Sequence, residues 1–125
     1  MSTTPAATVR PAAEVPALEI TLGKEAAVQV LVGPQQGETS YVLRRFIFGE
    51  GGGMPMHTNL VEHQQYVLRG RARITIADAV HDVSADDTLF IPALMPHSYE
   101  VLEGPFEFIC VVPDKPDQVT LVEPR

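Results

Sequence analysis

The chain has 125 residues and a mass of 13.6 kDa, room for a single domain. Nine Lys and Arg against 16 Asp and Glu leave a net charge of -7, which speaks against nucleic acid, since gripping phosphates needs a basic surface. A lone cysteine, Cys110, excludes an internal disulfide framework and a Cys-rich zinc site. No apolar run approaches the roughly 20 residues that cross a bilayer. The first residues, MSTTPAATVRPAAEVP, lack the apolar core of a signal peptide. A cytoplasmic, reducing location is therefore expected.

Residues 1–16 are rich in Ala, Pro and Thr and poor in large apolar groups. Such a segment offsets little of its ordering entropy, so it is expected to be a flexible N-terminal arm, ahead of a domain spanning 17–125. From Leu18 the texture changes to short apolar or alternating runs between turn residues. In chain order they are LEITL (18–22), AAVQVLV (26–32), SYVLRRFIF (40–48), HQQYVLRG (63–70), RARITIA (71–77), AVHDVS (79–84), TLFIP (88–92), HSYEVL (97–102), FEFICVV (106–112) and QVTLV (118–122). About ten short strands punctuated this often predict an all-β sandwich or barrel. No window sustains the apolar spacing of an amphipathic helix. Gly51-Gly52-Gly53 neither fits a phosphate-binding loop nor opens a helix, so it reads as a tight bend before the next strand.

The histidines are His57, His63, His81 and His97. Strand alternation puts His57 and Asn59 on one face; if His63 points inward, so do Gln65 and Val67. Gly51, His57, Asn59, His63 and Gly70 stand at the spacing G-x5-H-x-H-x3-E-x6-G. Asp86, Pro92, Leu94, His97 and Val101 stand at the spacing G-x5-P-x-G-x2-H-x3-N. On these two motifs, 51–70 and 86–101, the stretch from Tyr41 to Val112 resembles the cupins. The resemblance implies a single-domain double-stranded β-helix, the jelly roll, with one metal ion in its mouth. His at the position of the family's Glu, with a strand ending FICVVP, is similar to the small manganese- or iron-binding four-histidine members. Here the second histidine is Asn59. Asp86 and Leu94 replace family glycines, and Leu94 is expected to alter its turn, because a Cβ disfavours positive φ.

Under that resemblance His57, His63 and His97 are the expected metal ligands and catalytic groups. Three imidazoles suit Zn, Fe, Ni or Cu, and Mn more weakly. Asn59 either ligates through its amide oxygen, leaves a position for water, or hydrogen-bonds a ligand. With no carboxylate in the set the ion keeps its formal charge, which favours an anionic or carbonyl-bearing substrate. Glu62, Gln65 and Glu100 are candidate acceptors for the second ring nitrogen of a ligating histidine. His81 lies away from both motifs.

Further pocket candidates are Phe46, Phe48, Met56, Tyr99, Phe108 and Cys110, with Met54 and Tyr41 supplying similar surface. In FEFICVV alternation puts Phe106, Phe108, Cys110 and Val112 on one face. Cys110 is core filler or a thiol beside the metal. Arg44 and Arg45 are consecutive in a strand, so one points in; an inward arginine would grip a carboxylate. The expected function is a mononuclear metal-dependent enzyme for a small molecule, foremost an oxygenase of dioxygenase type. The alternatives are a metal- or His-assisted isomerase, lyase or cyclase, and a non-catalytic ligand-binding module. Exposed sheet edges, and the resemblance, point to a homodimer.

Overall fold

The computed structural model describes residues 4–123; residues 1–3 of the expected arm and 124–125 of the expected domain lie outside them. Eight strands follow in order: β1 (Leu18–Glu19), β2 (Lys24–Val32), β3 (Tyr41–Thr58), β4 (His63–Ile76), β5 (Ala79–Ser84), β6 (Thr88–Ile91), β7 (His97–Pro113) and β8 (Thr120–Leu121). Single turns of 3₁₀ helix at Ala12–Glu14 and Pro34–Gln36 are the helical elements among the described residues. None is long and apolar enough to cross a membrane.

All pairings are antiparallel, in the order β1-β2-β3-β7-β4-β5, with β6 on β4 and β8 on β3. Long β3, β7 and β4 form the spine of the jelly roll. Three boundaries expected from the sequence are absent. The glycine run at 51–53 lies inside β3, Gly70 lies inside β4, and 97–113 is one strand. Register shifts between Phe48 and Gly53, between Met54 and His57, and around Arg69–Arg71 bend the strands without ending them, as β-bulges do. Glycine is needed where strands meet: a Cβ on Gly53 would overlap the Tyr99 carbonyl oxygen.

The inner face follows period-two alternation. Phe106, Phe108, Cys110 and Val112 are buried, as are His63, Gln65 and Val67, while Gln64, Tyr66 and Leu68 are exposed. Phe48, Val67, Ala72, Ile74 and Phe106 are fully enclosed in the core. The arginine pair splits. Arg45 faces outward to Glu107 at 2.7 Å, and Arg69 reaches the same carboxylate at 3.4 Å, so this buried acid is matched by two cations. Arg44 is left facing in.

Residues of the arm lie along β2 of their own chain. Arg10 donates to the Val30 and Leu31 carbonyls, and the buried Gln29 amide donates to the Ala12 and Val15 carbonyls, both at 2.9 Å.

Candidate metal and anion site

The interior opens as a cavity of about 180 Å³. Ten of the expected residues line it: Arg44, Phe46, Phe48, His57, Asn59, His63, Gln65, His97, Tyr99 and Phe108. Cys110 and Met56 do not. Cys110 sits behind the wall, fully enclosed. Met54 lines the cavity in place of Met56, because the bulge between Met54 and His57 breaks simple alternation and turns residues three apart inward. Ile20, Val28, Asp117 and Val119 complete the lining and were not singled out in the sequence. His81 is exposed on β5.

His57 and His97 are direct partners across β3 and β7, with ring centroids 4.3 Å apart, and His63 stands 5.9 Å from His97. The three rings are thus gathered in one neighbourhood from three strand ends. The acceptors for the second nitrogens of His57 and His97 are not the side chains expected. His57 Nδ1 lies 2.8 Å from the Pro55 carbonyl oxygen and His97 Nδ1 lies 2.9 Å from that of Met95. A carbonyl only accepts, so each neutral ring carries its hydrogen on Nδ1 and keeps a lone pair on Nε2. Glu100 pairs instead with Arg73, Gln65 with Tyr99, and Glu62 is exposed.

Burial shapes the charge state. His63 is pushed down to about 3, first by desolvation and then by the Arg44 cation and the other two rings. His97 is lowered to about 4 by desolvation, against the opposing bond to Met95, with His57 adding to the fall. Both are neutral at pH 7. His63 Nε2 and Asn59 Oδ1 are buried without a hydrogen-bond partner.

Arg44, Cys110 and Gln65 are successive partners across β3, β7 and β4. Arg44 Nη2 approaches Cys110 Sγ at 3.6 Å, its guanidinium lies 5.0 Å from the Phe46 ring centre, and its buried Nε has no partner. Phe46, Phe108 and Tyr99 then stack nearly parallel, and Tyr99 meets His97 edge-on. A column of stacked aromatic rings therefore runs from the cation to His97. Desolvation raises the Tyr99 hydroxyl, which is held across the interior by Gln65 at 2.8 Å, so it stays protonated. Burial likewise raises the Cys110 thiol, although Arg44 opposes the shift.

Leu94, at a family glycine position, keeps the left-handed conformation at φ 66°, and Asp86 does so at 75°. The turn expected to change is kept, and Leu94 N–H donates to the Asn59 carbonyl at 2.8 Å.

Residues 44–112 match the family described as Cupin domain. The chain belongs to the cupin family. No curated protein sequence matches it. Among solved structures this cupin is similar to the polyketide cyclase RemF from Streptomyces resistomycificus, with 25% identity, a TM-score of 0.86, and coverage of 96% of this chain and 88% of that one. A cupin-2 domain from Rhodospirillum rubrum shares 23% identity at a TM-score of 0.80, covering 96% and 83%. An oxalate decarboxylase variant from B. subtilis shares 22% at 0.70, covering 91% of this chain and 32% of that one. The last two likenesses concern the fold.

The donor set suits a divalent ion in its chemistry: Nδ1 of His57 and His97 held by backbone carbonyls, His63 and His97 neutral, and two buried polar atoms without a partner. Counting His, Cys, Asp and Glu alone, no group of three among the described residues is arranged to hold one. The spacing as it stands is that of gathered rings, and an amide oxygen lies outside that count.

Proposed function

We propose that this cupin is an enzyme acting on a small anionic, carbonyl-bearing molecule by a polar route of the cyclase or lyase kind, with a divalent ion held by His57, His63 and His97. The observation that carries the reading is Arg44. Among the described residues it is an inward cation without a carboxylate partner, in an apolar aromatic cavity that the histidines also line. An unpaired guanidinium in such a wall is costly unless an anion joins it, and its fork suits a carboxylate or enolate. A cavity of about 180 Å³ is of the size that holds a single ring, since an engineered apolar cavity of ~150 Å³ binds benzene.

In this mechanism Arg44 takes the anionic group, braced by the Phe46 ring, and the aromatic wall aligns a planar substrate toward the histidines. The ion would supply Lewis acidity, polarising the substrate carbonyl and making its neighbouring proton more acidic. Tyr99 keeps its proton and serves as a donor rather than a base. The apolar lining of Ile20, Val28 and Met54 limits water around the reacting group.

Both polar and oxidative chemistry suit three imidazoles. The polar route is preferred because a cyclase is among the similar structures, at 25% identity, and because Arg44 serves an enolate without any oxidant. The test is a panel of aryl 3-oxo acids in D₂O, followed by NMR for loss of the α-proton signal, in air and under argon. Equal rates in both atmospheres are expected. Turnover that consumes oxygen and stops under argon would overturn the polar route in favour of an oxygenase.

A further inference from the structure

We infer that Asp117 is a positioning residue, which holds the Asn59 amide so that Asn59 Oδ1 serves as the fourth electron-pair donor to the ion, beside His57, His63 and His97. The inference deepens the metal reading above and rests on it.

Asp117 lies between β7 and β8, exposed at the cavity rim, 58 residues from Asn59. One carboxylate oxygen accepts from Leu60 N at 2.7 Å and Gln118 N at 2.8 Å, and the other accepts from Asn59 Nδ2 at 2.9 Å. A carboxylate held by two backbone N–H groups is an acceptor only, so the amide can offer it nothing but its NH₂ end. The assignment of the two amide ends therefore follows from the partner. With nitrogen turned to the rim, the carbonyl end is the inward one.

That inward oxygen is buried and has no partner, on a residue 6% exposed. Its backbone is fixed as well, since the Asn59 carbonyl accepts from Leu94 at the second motif's turn. His63, which lines the same cavity, has its Nε2 buried without a partner as well. One cation would match both buried atoms, with His63 in the tautomer that leaves its lone pair on Nε2. Asp117 is also the one acid among the lining residues, so a carboxylate stands behind the amide, as it does behind many metal-bound histidines.

Chelator-stripped protein titrated with Co(II), followed by calorimetry and the visible d–d spectrum, tests the idea. Asp117→Asn is expected to weaken Co(II) binding about 10- to 100-fold and to shift the d–d bands. Asn59→Leu should do the same while leaving the two backbone bonds of Asp117 in place, so it carries the test if Asp117→Asn folds poorly. Asn59→His in the Asp117→Asn background should restore tight binding, because an imidazole does not depend on the carboxylate to choose its donor end. Wild-type affinity and an unaltered spectrum in Asn59→Leu would overturn the inference and leave the histidine site standing. A wild-type chain that takes up no Co(II), Mn(II), Zn(II) or Fe(II) would sink the metal reading and the inference together. Benzoate binding at Arg44 is scored separately.

Discussion

At the scale of single residues the charge on Arg44 decides most. Its neighbour Arg45 is matched by Glu107 at 2.7 Å, whereas Arg44 meets a thiol and an aromatic face. A cation kept in that setting lowers stability and raises ligand affinity, a trade met at binding sites. Arg44→Met keeps the stem's packing and removes the charge. It should weaken benzoate binding at least tenfold by calorimetry, while the melting temperature holds or rises by the equivalent of ~1 kcal/mol. Unchanged benzoate affinity with a lower melting temperature would make Arg44 a structural residue. The sequence already said that one of the two arginines faces inward, because adjacent strand residues must part. Which one does depends on Glu107, a carboxylate that alternation assigns to the outer face but whose two cations come from β3 and β4. That the three histidines gather in one place was legible through the two motifs' resemblance to the family. Their anchors were not, since backbone carbonyls leave no trace in residue identity. Asp117 was invisible for a related reason: its segment carries no motif, and only the fold brings it to Asn59.

Elements were legible in their centres and misread at their ends. Glycine stretches looked like terminators, yet 51–53 and Gly70 are bends within continuous strands. Phe48, His57 and Tyr99 face one cavity only because those bends turn the strands from one sheet face to the other, and the same bulge exchanged Met56 for Met54. The turn before β7 shows the opposite error. Leu94 was expected to change the backbone because it replaces a glycine, but it keeps φ at 66° and carries the strain. Hydrogen bonds at both sides hold the turn: Leu94 N–H to Asn59, and Ala77 N–H to the Pro96 carbonyl. The leucine side chain is 62% exposed and so contributes little packing in return. Leu94→Gly should therefore stabilise the protein by about 0.5–1 kcal/mol, the relief of a left-handed residue less the added freedom of glycine in the unfolded chain. Urea denaturation checks it, and a loss of stability would show that the exposed leucine packs better than its accessibility indicates.

For the whole molecule, the buried histidines tie folding to pH. His63 is lowered to about 3 and His97 to about 4, both chiefly by desolvation, from the ordinary 6.5. An unfolded chain takes up a proton at each near pH 6.5, whereas the native chain does not until pH 4 and pH 3. Between those limits the unfolded state binds more protons, so stability rises with pH and falls on acidification. Two groups acting together give a slope of up to about 2.7 kcal/mol per pH unit between roughly pH 6 and 4, a large share of a small domain's total. Asp117, whose carboxyl is raised by desolvation but lowered further by its bonds from Asn59, Leu60 and Gln118, ends below its ordinary value. It adds acid sensitivity in the same direction, in a lower window. Urea melts in the presence of a chelator at pH 7, 6, 5 and 4.5 should lose stability steeply below pH 6. His63→Gln should flatten the slope by about half, while His81→Gln, on an exposed strand, should leave it as it was. A stability that stays level down to pH 4.5 would mean that His63 and His97 meet solvent in the folded chain, and the enclosed site described here would go with it.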